Sequence, residues 1–179
     1  MTHTLFGLSG SLRRAASNTK LLAEAARLYG APDVVVGDIN LPLFDGDYED
    51  ANGIPEAVQH LSDQIAAADG IIISTPEYNK GPSGALKNAL DWISRTKGNP
   101  WRDKPVAIMS AAAGRAGGER AQIVLRGYLV PFQPRLITGP EVHVAASMDA
   151  FDDNDHLTGA LYIKTLQALM DRLRGEINR

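Results

Sequence analysis

Two stretches of this chain carry residue types, at spacings, that can hold a phosphorylated ring compound. Gly10-Ser11-Leu12-Arg13-Arg14-Ala15-Ala16-Ser17-Asn18-Thr19 follows the apolar run Thr4-Leu5-Phe6-Gly7-Leu8, and Leu21, Leu22, Ala25, Ala26 and Leu28 then mark one face of a helix. From Ser9 to Thr19 the chain offers three serines, an asparagine, a threonine and two arginines. A helix N-terminus presents unpaired N–H groups and the positive end of the macrodipole, so a dianionic phosphate placed there meets donors already aimed at it. Hydroxyls and Asn18 add neutral hydrogen bonds, and Arg13 or Arg14 adds charge. Taken alone, Ser17 reads as an ordinary N-cap.

Rival phosphate loops fail on their letters. The Walker pattern Gly-x-x-x-x-Gly-Lys-Ser/Thr is absent, and Ser9 and Leu12 stand where the dinucleotide fingerprint needs its second and third glycines. A thiolate phosphatase loop is excluded because the chain has no cysteine.

The second stretch is Pro76-Glu77-Tyr78-Asn79-Lys80-Gly81. It follows Gly70-Ile71-Ile72-Ile73-Ser74-Thr75, the unbroken β-branched run of a strand covered on both faces. Pro76 stops that strand, and Asn79, Gly81, Pro82 and Gly84 break local structure, which leaves backbone N–H and C=O groups expected to be free for a ligand. Leu86, Leu90 and Ile93 resume a helical stripe. A flat heteroaromatic ring with donors and acceptors on its edge suits such a loop, although a plain strand-to-helix connection has the same letters. A third element, Pro105-Val106-Ala107-Ile108-Met109-Ser110, reads as another buried strand. Ala111-Ala112-Ala113-Gly114-Arg115-Ala116-Gly117-Gly118 follows it with nothing bulky to keep a planar group from the backbone, ahead of a helix with Ala121, Val124, Leu125 and Tyr128 in phase. A surface loop would also be glycine-rich.

These three motifs in this order resemble the NAD(P)H-dependent FMN reductase family, which includes bacterial quinone, chromate and azo reductases. The resemblance rests on Gly10-Ser11-Leu12-Arg13 with Ser17 and Asn18, on Pro76-Glu77-Tyr78-Asn79 running into Gly84-Ala85-Leu86-Lys87-Asn88-Ala89-Leu90-Asp91-Trp92, and on Gly114-Arg115-x-Gly117-Gly118. It covers Thr4 to Tyr128. It implies a flavodoxin-like α/β fold, bound FMN, NADPH or NADH as co-substrate, and hydride passed through the flavin to quinone-like acceptors, with chromate, azo compounds and free flavin as further candidates. By position, the phosphate contacts of the family fall on Ser11, Arg13, Ser17 and Asn18, with Ser9 and Thr19 beside them. Its ring contacts fall on Pro76, Glu77, Tyr78 and Asn79 and on Ser110 to Gly118, including Gly114, Arg115, Gly117 and Gly118. It also implies a homodimer or homotetramer in which a second protomer, through Leu86 to Ile93 and the neighbourhood of Tyr128, covers the flavin. Two departures are Pro82-Ser83-Gly84, where the family often has Pro-Gly, and Glu119, where a small residue is common.

Length and charge agree with that expectation. A chain of 179 residues is read as one domain, 1–179, large enough for a five-stranded parallel sheet in the order 2-1-3-4-5 with helices on both faces. Its remaining strands fall at Asp33 to Gly37 and around Glu141 to Val144. Its remaining helices run from Pro55 to Ala67, with Val58, Leu61 and Ile65 in phase, and from Leu157 to Arg174, with Tyr162, Leu166, Leu169 and Leu173 in phase. A net charge of −3 with no basic stripe speaks against nucleic acid as partner. With no apolar run near ~20 residues and an N-terminus that enters a strand at once, the reading is a cytoplasmic protein.

Metal and hydrolytic chemistry find no support. His3, His60, His143 and His156 lack ligand spacing, and Asp152-Asp153-Asp155 lacks the glycine and terminal glutamate of a calcium loop. That acidic group reads as a solvated turn in which Asn154 or Asp155 caps the last helix. Trp92 and Trp101 read as packing residues. No side chain is assigned an acid or base role, because the three loops carry no histidine and the cofactor supplies the hydride chemistry. The alternative is an FMN electron carrier or binding module without enzymatic activity. Such carriers are strongly acidic around the flavin, whereas Arg13, Arg14, Lys80 and Arg115 flank these loops.

Overall fold

The computed structural model describes residues 3–31 and 34–179, so Asp33 lies outside the described residues. Six strands form one sheet: β1 Leu5–Ser9, β2 Val34–Val36, β3 Gly70–Thr75, β4 Pro105–Ala111, β5 Arg135–Leu136 and β6 His143–Val144. Among the described residues six α-helices accompany them: α1 Ser17–Tyr29, α2 Gly46–Asn52, α3 Glu56–Ala67, α4 Gly84–Ile93, α5 Glu119–Leu129 and α6 Ala160–Ile177.

Alternation along the central strands decides the layering. Leu5, Ile72, Ala107 and Met109 point to one face, where Leu21, Leu22 and Ala25 of α1 and Leu166, Leu169 and Leu173 of α6 cover them. Phe6, Leu8, Ile71, Ile73, Val106 and Ile108 point to the other face, against Leu61 and Ile65 of α3, Leu86 and Leu90 of α4, and Leu125 and Leu129 of α5. Strands apolar on both faces belong to a parallel sheet buried between helices. Every pairing is parallel, in the order β2-β1-β3-β4-β5, with β6 also on β4. This is the flavodoxin-like arrangement that the sequence implied.

The differences have local causes. The fifth sheet position is shared by two short strands: β5 pairs with Pro105 and Val106 at the start of β4, and β6 with Ser110 and Ala111 at its end. Pro140, which has no N–H for a ladder, lies in the stretch between them. The seven residues of α2 bury no side chain, so no apolar stripe announced it. Asp45 caps it by accepting from Asp47 N, and Arg95 holds Glu49 at 2.9 Å. The last helix starts at Ala160 with Gly159 as N-cap. Asn154 and Asp155 do not cap it: Asp152 Oδ1 takes the N–H groups of Asn154 and His156 at 2.9 Å each, and Asp155 pairs with Lys20 at 2.5 Å. Trp92 and Trp101 are buried.

One consequence positions a site. After β1 the chain crosses to the α1 face, and after the adjacent β3 it crosses to the α4 face, so the loops at the C-terminal ends of β1 and β3 diverge. A crevice at such a switch point is where open α/β sheets bind ligands. No helix among the described residues is long and apolar enough to cross a membrane.

Candidate functional site

The crevice is a cleft of about 180 Å³ at the C-terminal edge of the sheet. Ser11, Arg13, Ala16, Ser17 and Asn18 line it from the β1–α1 loop, Pro76, Glu77 and Tyr78 from the β3–α4 loop, and Ala111, Ala112 and Ala113 from the end of β4. Ser147 and Met148, on the loop after β6, complete it.

The first loop is tied down at both ends. Gly10 N donates to Ser74 O at 2.7 Å, and the Ser83 hydroxyl donates to Gly10 O while accepting from Leu86 N to cap α4. A Cβ on Gly10 would stand 2.8 Å from Pro76 Cδ, so the loop packs this closely only with glycine there. The N-cap of α1 is Ala16, which offers no side-chain bond, and not Ser17. Ser17 opens the helix and its hydroxyl donates to Ser147 O at 3.1 Å. The first bonds of the helix run from Thr19 and Lys20 N–H to Ala16 O, so the N–H groups of Ser17 and Asn18 precede the ladder. Arg13 is exposed and has no carboxylate partner among the described residues. Unpaired helix amides on the same cleft as an unpaired guanidinium are groups that can hold an anion.

Besides Ser17, three more of the polar side chains read as phosphate donors are engaged elsewhere. Ser9 and Thr19 share a hydroxyl pair at 2.9 Å and do not line the cleft. Asn18 is buried, and its amide replaces a strand: Oδ1 accepts from Ala111 N at 3.0 Å and from Ser74 Oγ at 2.9 Å, and Nδ2 donates to Ala111 O at 2.9 Å. On its other side β4 bonds to the β6 segment through Ser110 N and Ala112 N. Ala111 therefore faces the side that β3 vacates at Pro76, and Asn18 supplies the missing partner. What Asn18 leaves for a ligand is its backbone N–H.

The second loop is more closed than its letters implied. Asn79 and Lys80 have φ of 50° and 71°, the signature of a type I′ turn, and Tyr78 and Gly81 bond to each other through both backbone groups. Their N–H and C=O are thus occupied within the hairpin. Glu77 Oε2 accepts from Ala121 N at 3.2 Å, a carboxylate placed on the first turn of α5, whose N-cap Gly118 has no side chain to do so. Tyr78 is 52% exposed.

In the third loop, Gly117 and Gly118 are glycines for packing. At Gly117, with φ +58°, a Cβ would stand 2.5 Å from the His143 carbonyl carbon; at Gly118, with φ +94°, it would stand 2.7 Å from Cβ and Oγ of Ser110. Ser110 is buried, donates to Gly117 O at 2.6 Å and accepts from Gln122 Nε2 at 2.8 Å. Neither glycine, nor Ser110, Gly114, Arg115 or Asn79, lines the cleft. Ser147 and Met148, which do line it, lie in none of the three sequence motifs. The signal available for them was topological, since they follow a strand end at the same sheet edge.

The family model for NADPH-dependent FMN reductases matches residues 4–150. The chain belongs to that family. It is 41% identical over 180 residues to an NAD(P)H-dependent FMN reductase of Pseudomonas aeruginosa, covering 96% of this chain and 97% of that one. It is 35% identical over 167 residues to a quinone reductase of Escherichia coli, covering 86% and 89%. Among solved structures, the flavoenzyme NAD(P)H:(acceptor) oxidoreductase FerB of Paracoccus denitrificans superposes with a TM-score of 0.87 at 30% identity, over 98% of this chain and 97% of that one. As an FMN reductase family member, the chain is an oxidoreductase with FMN as cofactor and NAD(P)H as co-substrate.

Proposed function

We propose that this chain, read as one domain over 1–179, binds FMN in the cleft between β1 and β3 and delivers hydride from NADH or NADPH to quinone-like acceptors. The observation that carries the reading is the unpaired Arg13 beside the free N–H groups of Ser17 and Asn18, a cationic cradle with no buried acid to oppose a phosphate. Arg13, the Ser11 hydroxyl and those amides hold the phosphate, while the Ser17 hydroxyl ties the loop after β6 to α1. Pro76, Tyr78 and the small residues Ala111 to Ala113 give the ring its walls, with Asn79, Gly114 and Arg115 toward solvent. FMN, when bound, supplies the hydride acceptor and donor.

The protein's own part is binding and orientation. Among the described residues Glu77 is the one carboxylate on the cleft and is committed to α5, and no histidine lines it, so in this reading protons on a reduced acceptor come from water. The quinone acceptor class is supported by the naming of the Escherichia coli relative. Chromate, azo compounds and free flavin are further acceptors for the same assay panel. The assembly is read as a cytoplasmic homodimer or homotetramer in which a second protomer covers this edge; the 52% exposure of Tyr78 and 69% exposure of Met148 beside the cleft leave room for that cover.

The test is titration of the flavin-free protein with FMN. Arg13→Ala is expected to weaken FMN by about ten- to a hundredfold, because a charge-assisted bond contributes roughly 1.5–3 kcal/mol, and to leave riboflavin unchanged. An unchanged FMN dissociation constant removes Arg13 from the site. Steady-state NADH and NADPH oxidation with a quinone separates a reductase from an electron carrier, and sedimentation at assay concentration decides the assembly.

A further inference from the structure

The β1–α1 loop has a second side. Across it from the cleft, a groove of about 360 Å³ runs between the loop and the segment after β2, and Ser11 lines both spaces. Two aliphatic side chains on this groove, Leu12 and Val36, are 56% and 54% exposed. Asp38 and Asn40 add polar groups, and Thr19 lines it from α1. Asp38 Oδ1 accepts from Asn40 N at 2.8 Å, while its other oxygen has no partner among the described residues. The FMN reading uses none of Val36, Asp38 or Asn40.

We propose that this groove is a subsite for adenosine monophosphate, the arm of a dinucleotide whose phosphates pass over Ser11. This rests on the cleft holding the redox end of that dinucleotide or its FMN partner. The chemistry fits in three respects. A purine needs a flat apolar slot, which Leu12 and Val36 flank. Vicinal ribose hydroxyls need an acceptor-only group. Asp38, two residues beyond β2, lines the groove with an oxygen to spare. Its charge also repels a 2′-phosphate, so the subsite prefers adenosine with a free 2′-hydroxyl.

The arm has two sources, FAD or a nicotinamide dinucleotide, and the experiment separates them. Flavin-free full-length protein is titrated with AMP, adenosine 2′,5′-bisphosphate, FAD and FMN, for wild type, Val36→Glu and Asp38→Asn. Val36 is exposed on an edge strand and Asp38→Asn keeps the acceptor for Asn40 N, so both variants are expected to melt as the wild type does. AMP binding is expected to weaken about tenfold in Val36→Glu while FMN stays within about twofold. Asp38→Asn narrows the preference for AMP over the 2′,5′-bisphosphate by about tenfold. If FAD is the source, Val36→Glu raises the FAD dissociation constant; if a nicotinamide dinucleotide is, it raises the KM for NADH in the FMN-loaded enzyme. AMP that does not bind at millimolar concentration, or binds wild type and Val36→Glu alike, overturns the proposal. Failure of the cleft reading looks different: FMN then ignores Arg13→Ala, and the AMP affinities of wild type and Val36→Glu are compared independently of that result.

Discussion

Replacing Asn18 by alanine separates two roles that one amide can have in this fold. The side chain makes three hydrogen bonds, two to the backbone of Ala111 and one from Ser74. A neutral intramolecular bond contributes about 1 kcal/mol net, and each buried group left unpaired costs roughly 1–3 kcal/mol. Ala111 lines the cleft, so water can reach part of what the truncation exposes, and a total near the low end, about 3 kcal/mol, is expected. For a chain of 179 residues this corresponds to a fall in Tm of about 6–12 °C, measured on the flavin-free protein by circular dichroism or calorimetry. Affinity for FMN is expected to fall as well, because α1 loses its anchor to β3 and β4. The order of the two effects is the discriminating result. Were the amide instead a direct phosphate ligand, Asn18→Ala would weaken FMN while leaving the flavin-free Tm within about 1 °C of wild type. That outcome would refute the clamp.

Gly118→Val is expected to unfold the domain or trap it in inclusion bodies, since its Cβ would collide with Ser110 at 2.7 Å and its φ of +94° disfavours any side chain; a folded mutant that has merely lost flavin would contradict this. Lys104 caps the end of α3 through the carbonyls of Ala66 and Ala68, and burial holds its pKa below the usual 10.5 against a smaller opposing pull from Asp69. Between that lowered value and 10.5 the unfolded chain binds more protons, so unfolding free energy rises with pH there, and Lys104→Met should remove that part of the slope in denaturant titrations. Tyr78→Phe, and single replacements of His60, His143 and His156, should each leave flavin reduction and reoxidation within about tenfold of wild type in stopped-flow measurements, because a positioned acid or base is worth ~10²–10⁴; a larger loss with FMN bound would assign chemistry to that side chain.

How much of this was legible in the sequence depends on the kind of signal. The strands Leu5–Ser9, Gly70–Thr75 and Pro105–Ala111 announced themselves because both their faces are apolar, and the helices with in-phase leucines followed. Two elements were missed: α2, which buries nothing, and the two-residue strand β5, whose pairing is set by the length of β4 and not by its own letters, whereas the strand expected around Glu141 to Val144 is β6, His143–Val144. Among the residues that line the cleft, Arg13, Ser11 and the Pro76–Tyr78 stretch stand out by composition between a strand and a helix. Ser147 and Met148 do not, because their place at the cleft follows from β6 joining the sheet beside Ala111.

The polar side chains of these loops that bond within the protein share one physical cause. Parallel strands that end at different heights leave backbone groups without a ladder partner, and a buried unpaired group is costly. Beyond Pro76 the β3 side of β4 has no strand, and Asn18 closes Ala111. Beyond Gly118 the first turn of α5 has no capping side chain, and Glu77 reaches across from the neighbouring loop to Ala121 N. Between Ser110 and Gly117 the gap is closed by a hydroxyl that Gln122 in turn orients. A loop rich in donors at a switch point therefore divides its work: side chains that stay buried mend the sheet edge, and exposed Arg13 with the amides of Ser17 and Asn18 is left without a partner among the described residues, the group that the proposed FMN phosphate would meet. Exposure separates the two groups where residue type does not, since Asn18 and Ser110 are buried while Arg13 and Tyr78 stand in solvent.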